Sequence, residues 1–392
     1  MKKKIFGCFL IMVFFVVPVH AFFFGVGSAG GAKEVIKKGQ EEGKIPKTPD
    51  TGGETTIPPV QKGVEVVWQD IYNGGGGDVG YAITVDSSGN VYITGCTRWY
   101  PSDYLTIKYN SNGDIIWYKT HDEANYDRGC GIAVDSSKNV YIVGEPGGSW
   151  FNILKYNSNG DTVWQKTEYN DGYAITIDKS DNVYVVGADE SSHYIKKYNP
   201  DGNMMWKKKT PGVSNIAVDL NNSIYLTGGS TIKCNSNGDT VWQKTYYGGN
   251  FKVGNDVTVD SSGNVYVVGY SYNGTDNDYL IIKYNSDGDV IWQKTYDGGK
   301  NDYGEGIVVD SSGNVYVTGW SYNTKTWKWN CFTIKYNSNG DIIWQERYDE
   351  GQSQSDGYDI TIDSFGYIYV TGNIFNGSDE NCLTIKYRQI KF

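Results

Sequence analysis

The stretch "VDSSGNVYVVGYSYNGTDNDYLIIKYNSDGDVIWQKTY" occupies residues 259–296, and a close copy begins at Val309. An apolar segment ends at Val259, and three more follow it: "NVYVVG", "YLIIKYN" and "DVIWQ". Ser-Ser-Gly-Asn or Asn-Ser-Asp-Gly turns separate them, where Gly and Asn take positive φ at little cost. Short alternating segments between such turns read as strands joined by hairpins. The unit is a four-stranded antiparallel meander, its strands lettered A to D in chain order. Alone, it would leave two apolar faces wet, so it must stack on copies of itself.

The copies are present along the chain. The Asp that follows strand A recurs at Asp86, Asp135, Asp178, Asp219, Asp260, Asp310 and Asp363, at intervals of about 41 to 53 residues. Strand B then carries Tyr92, Tyr141, Tyr184, Tyr225, Tyr266, Tyr316 or Tyr369. Trp117, Trp164, Trp206, Trp242, Trp292 and Trp344 mark strand D of units one to six, whereas the seventh unit stops at Tyr387 after strand C. The missing strand is "EVVWQDIY" around Trp68, at the other end of the chain. An N-terminal strand completing the last unit leaves no open sheet edge. The expectation is all-β: a seven-bladed beta-propeller of four-stranded antiparallel blades over residues 64–388, closed by that strand. Compact Thr84, Ala133, Thr176, Ala217, Thr258, Val308 and Thr361 suit the crowded axis, and the tryptophans suit the wider rim.

The motif "VDSSGNVYVTG" resembles the bacterial beta-propeller repeat family known as SBBP and, more distantly, NHL and quinoprotein-type blades. The resemblance covers about residues 64 to 388. It implies the propeller fold and secreted or surface settings, with no shared activity.

Ahead of the repeats, Lys2, Lys3 and Lys4 precede an apolar run from Ile5 to Val19, and then Ala21. This pattern predicts a signal peptide over residues 1–21 and a secreted or cell-surface protein. Residues 22–63, rich in Gly, Lys, Glu, Thr and Pro, read as a flexible linker. A net charge of −10 disfavours nucleic acid and anionic lipid as partners. Cys96, Cys130, Cys234, Cys331 and Cys382 are odd in number and form no CxxC, which gives neither a disulfide framework nor a zinc signature. The mature chain is expected to lack a membrane span and to be a monomer.

Residues repeated in every unit are expected to build the ring. The anchor aspartates suit capture of backbone N–H groups in the A–B turn. Lys108, Lys155, Lys197, Lys233, Lys283, Lys335 and Lys386 suit packing stems and charge partners. The "NSNGD" turns have the oxygen-rich look of calcium loops but lack the EF-hand spacing.

Function should lie where the units differ. The B–C and D–A connections vary most, and aromatics concentrate in those of units five, six, seven and one. Trp320, Tyr322, Trp327, Trp329, Tyr270, Tyr272, Phe375, Trp99 and Tyr100 are the candidate ligand-binding residues. Flat rings beside Asn and Asp suit carbohydrate, and equally an extracellular protein partner. Asp256, Glu305 and Asp359, at or beside the start of strand A, are a candidate metal set, and oxygen-only ligands favour calcium over zinc. A non-catalytic binding module is the leading reading and a purely structural repeat protein the second. A glycosidase or lyase ranks third, because His121 and His193 pair with no evident nucleophile and only Asp256 and Asp359 offer a carboxylate couple.

Overall fold

The computed structural model describes residues 63–97, 101–122, 126–146, 150–169, 171–189, 191–246, 252–348 and 353–390. The expected signal peptide and nearly all of the expected linker lie outside these residues, as do Trp99 and Tyr100. Twenty-eight strands form seven sheets of four antiparallel strands. In blades 1 to 6 the four strands follow one another as hairpins. In blade 7 the order is Val64–Tyr72, Glu380–Gln389, Ile368–Phe375 and Gln354–Ile362, so the first strand of the ring is the outer strand of its last blade. Its register runs from Val64 opposite Gln389 to Tyr72 opposite Cys382.

Strand A of each blade is innermost and packs against strand A of the next, including blade 7 against blade 1. Seven apolar clusters lie at the seven blade boundaries. The closing one joins Ile83, Ile93 and Leu105 of blade 1 to Tyr369, Cys382 and Trp68 of blade 7. Closure therefore buries the same kind of surface as every other boundary.

The repeated residues each have a local task. Asp260 accepts from the backbone N–H of Ser262 and Asn264 through Oδ1, and from Asn264 Nδ2 and Tyr266 Oη through Oδ2. The same pattern holds at Asp86 with Tyr92 and at Asp310 with Tyr316. In the C–D turn, Asn285 Oδ1 accepts from Asp287 N and Asp289 N while Gly288 takes φ 83°. The Asn285 side-chain oxygen is thus committed to the turn itself.

Trp and Lys share one acceptor in the next blade. Trp292 Nε1 and Lys283 Nζ both donate to Ser338 O, at 3.1 and 3.2 Å. Trp117 and Lys108 do so at Ser158, and Trp68 and Lys386 at Ser111 across the closure. The lysines also lie over strand B tyrosines, Lys283 at 5.0 Å from the Tyr266 ring. Where blade 7 has no C–D turn to offer, Lys335 donates to Gln389 Oε1 at 2.6 Å.

Every strand A carries a β-bulge, for example between Gly254 and Asp256 and between Gly304 and Gly306. The bulged residues are Tyr81, Cys130, Tyr173, Ser214, Asn255, Glu305 and Tyr358. Several reach to the next blade: Asn255 Nδ2 donates to Gly304 O and Glu305 Oε2, and the Tyr358 and Tyr81 rings lie 5.5 Å apart. An extra residue per inner strand turns these side chains toward the neighbouring blade.

Candidate functional site

Blades 5 and 6 assemble a continuous aromatic surface from strands that are distant in sequence. Trp320 and Tyr322 lie two residues apart on strand B of blade 6, Val315–Asn323, and therefore share a face. Tyr303, on strand A (Asp302–Val309), is opposite Trp320, and Trp329, on strand C (Lys328–Tyr336), is opposite Tyr322. Tyr303 stacks on Trp320 with centroids 4.2 Å apart at 23°. Trp329 meets Trp320 edge-on at 4.7 Å and Tyr322 at 5.0 Å. From blade 5, Tyr270 meets Tyr303 at 4.9 Å. All five rings are half-buried, so each keeps some area open to solvent.

Polar groups fix this surface from beneath and from the side. Trp320 Nε1 donates to Glu305 Oε1 at 3.2 Å, and Asn255 holds Glu305 Oε2 at 3.1 Å. Asn277 Nδ2 donates to Tyr303 Oη at 2.8 Å, and Asn277 N donates to Asn301 Oδ1. Rigid rings beside fixed amide and carboxylate groups are the arrangement that recognises a polar ligand with an apolar face.

The expected aromatic set thus divides. Tyr270, Trp320, Tyr322 and Trp329 come together, joined by Tyr303. Tyr303 was not singled out from the sequence, although its place opposite Trp320 is readable once the A–B register is known. Tyr272 and Phe375 are exposed at the ends of strand B in blades 5 and 7, and Trp327 in the B–C connection of blade 6, at 76% with φ 61°. Trp327 N donates to Asn323 O at 2.7 Å, so the tight turn itself holds this indole in solvent.

The acids expected at the start of strand A lie further along it, beside the bulge. Asp256 accepts from Val257 N and from Ile307 N of blade 6; Asp359 accepts from Ile360 N and from Ile83 N of blade 1. Both carboxylates staple one inner strand to the next. Among the described residues, the acids whose ligand oxygens all lie within 4.8 Å of one another are Asp278, Asp297 and Asp302.

Burial pushes Asp256 to about 7, outweighing its two N–H donors. Burial and then the nearby charges of Asp356 and Asp256 push Glu305 to about 8, and burial with Glu380 pushes Asp356 to about 7. Burial and Asp256 hold Asp359 well above the carboxylate range. The folded ring therefore binds more protons than the unfolded chain from about pH 4 to 8, and its stability falls as pH rises through that window. The anchors Asp86, Asp178 and Asp260 have the opposite sign: burial opposes their charge, but hydrogen bonds hold them below the usual range. Their contribution is lost only in stronger acid. In chelator, the thermal midpoint is expected to peak near pH 4 to 5 and drop by roughly 5 °C or more by pH 8. Asp256→Asn should flatten that drop, and an unchanged slope would remove the inner acids as its cause.

The family described as Beta-propeller repeat (SBBP) matches residues 244–275, 296–324 and 350–374, which carry strands A and B of blades 5, 6 and 7. The chain is a seven-bladed beta-propeller, and three of its blades are similar to that family's repeat. No curated protein matches it in sequence. Among solved structures, the WD40 beta propeller domain of Doa1 is similar at 14% identity and TM-score 0.59, over 84% of this chain and 99% of that one. The RRP9 WD40 repeats are similar at 9% identity and TM-score 0.62, over 83% and 100%. Chaetomium thermophilum Raptor is similar at 8% identity and TM-score 0.61, over 84% of this chain and 30% of that one. At these identities the likeness is one of fold. Among the described residues no helix is long and apolar enough to cross a membrane.

Proposed function

We propose that the protein is a secreted or cell-surface, non-catalytic binding module that takes carbohydrate on the aromatic surface of blades 5 and 6. The observation that carries this reading is the Tyr303–Trp320 stack, extended by Trp329, Tyr322 and Tyr270 and tied to Glu305 and Asn277. A sugar ring offers C–H groups to aromatic faces and hydroxyls to amides and carboxylates, and this surface presents both. The rings are locked by packing on one another, so little side-chain entropy is lost on binding. The leading residues of the charged leader support secretion, and the monomeric state is part of the same proposal.

A protein partner is the second reading, favoured by the exposed Tyr272, Trp327 and Phe375 at or beside the ends of strand B in three successive blades. Large exposed aromatics are typical anchors of protein interfaces. A glycan-array screen of the purified chain, followed by titration of the best sugar, separates the two. Trp329→Ala is expected to lower sugar affinity ten-fold or more. Trp327→Ala should leave sugar binding intact and shift folding stability by no more than about 0.5 kcal/mol, because the indole touches so little. A blank array, or binding lost with Trp327→Ala but kept with Trp329→Ala, would sink the carbohydrate reading.

A further inference from the structure

We propose that Asp278, Asp297 and Asp302 form a calcium site at the boundary of blades 5 and 6. Asp278 is on strand C of blade 5 (Asn277–Tyr284), Asp297 begins the connection to blade 6, and Asp302 opens strand A of blade 6. Their ligand oxygens lie within 4.8 Å of one another. Calcium–oxygen bonds of about 2.4 Å span about that distance across the ion, and a purely carboxylate set suits a hard cation.

Asp302 supplies the independent pointer. It is 0% exposed, its Oδ2 accepts from Gly298 N at 2.6 Å, and its Oδ1 makes no hydrogen bond, although the Ser321 hydroxyl, which itself accepts from Arg347, lies beside the carboxylate. A carboxylate oxygen sealed from water without a donor is costly unless a cation sits against it. The nearby Arg347 is committed elsewhere, donating to Ser321 O and Ser321 Oγ at 3.0 Å each.

The chain also contains a comparison for this site. At the boundary of blades 7 and 1 the same Gly-Gly turn recurs, with Gly74 N donating to Asp78 Oδ2 at 2.6 Å and Gly75 N to Asn73 Oδ1 at 2.9 Å. There the second oxygen, Asp78 Oδ1, receives the Thr97 hydroxyl, from the position that Ser321 holds opposite Asp302. Asn73 stands where the other boundary has Asp297, and Asn381 where it has Asp278. The turn therefore forms without the acidic trio. Its extra charge at blades 5 and 6 serves something other than the turn.

The proposal does not depend on carbohydrate binding and is tested without a sugar. The full chain, stripped with chelator, would be titrated calorimetrically with calcium chloride and with magnesium chloride, and its thermal midpoint followed at each concentration. One calcium per chain is expected, with a dissociation constant of about 0.1 to 1 mM and a rising midpoint. Asp297→Asn, an exposed residue whose replacement leaves the fold intact, should weaken binding ten-fold or more, and so should Asp278→Asn. Absence of calcium binding at millimolar concentration would overturn the site. So would binding unchanged by Asp297→Asn, or magnesium bound as tightly as calcium.

Discussion

Deletion of residues 64–72 is expected to destroy cooperative folding of the whole ring, although it removes a strand from only one blade. That strand pairs along its length with Glu380–Gln389 and supplies Trp68, whose indole reaches Ser111 O of blade 1 and whose ring packs near Tyr109 and Tyr369. Asp70 accepts the Tyr109 hydroxyl at 2.8 Å. Without them, blade 7 presents an open edge and its boundary with blade 1 loses the cover of Trp68 and Tyr72. An open edge beside exposed apolar surface favours aggregation over a seven-bladed ring with a gap. Size-exclusion chromatography should show aggregates, and thermal unfolding should lose its cooperative transition. Moving residues 64–72 behind Ile390 through an Asn-Ser-Asn-Gly-Asp turn should restore both, since strands C and D of blade 7 would then form an ordinary hairpin. A truncated chain with the full-length midpoint would show that closure contributes nothing.

Gly269→Ala is expected to cost about 4 kcal/mol or more, an unusually large penalty for one methyl group. A Cβ at this position would lie 1.9 Å from Val253 O and 2.9 Å from Val253 C, a clash with backbone that no rotamer relieves. The cause is the bulge in strand A, which brings that carbonyl over the Cα of its strand B neighbour. Gly95, Gly144, Gly187, Gly319 and Gly372 face the same carbonyl in their blades. The glycine that ends "VYVVG" is therefore a product of the bulge. Gly229→Ala, where a Cβ meets nothing within 4 Å, is the control and should be near neutral. Urea unfolding of the two variants distinguishes them, and equal midpoints would remove the clash argument.

The blade count, the four-strand unit and the closure by the Trp68 strand were legible because they rest on local pattern: alternation within strands, turn chemistry between them, and an unpaired end at each terminus. The structural role of the anchor aspartates was legible for the same reason, since each acts within six residues of itself. The sharing of one carbonyl by Trp292 and Lys283 was not, because Ser338 belongs to the next blade. Among the aromatic candidates, the sequence marked the variable connections but could not tell that Trp320 and Trp329 pack together while Trp327 stands in solvent.

By itself, then, the sequence determined the ring, because short-range alternation and turns dictate each sheet and two incomplete ends dictate how the last one closes. Only the tertiary structure decided the sites. Tyr303 joins Trp320 through strand pairing, and Asp278, Asp297 and Asp302 meet where two blades abut. The physical reason is that blade boundaries bring together residues from strands and connections whose separation in sequence obeys no period, so no local pattern marks them in advance.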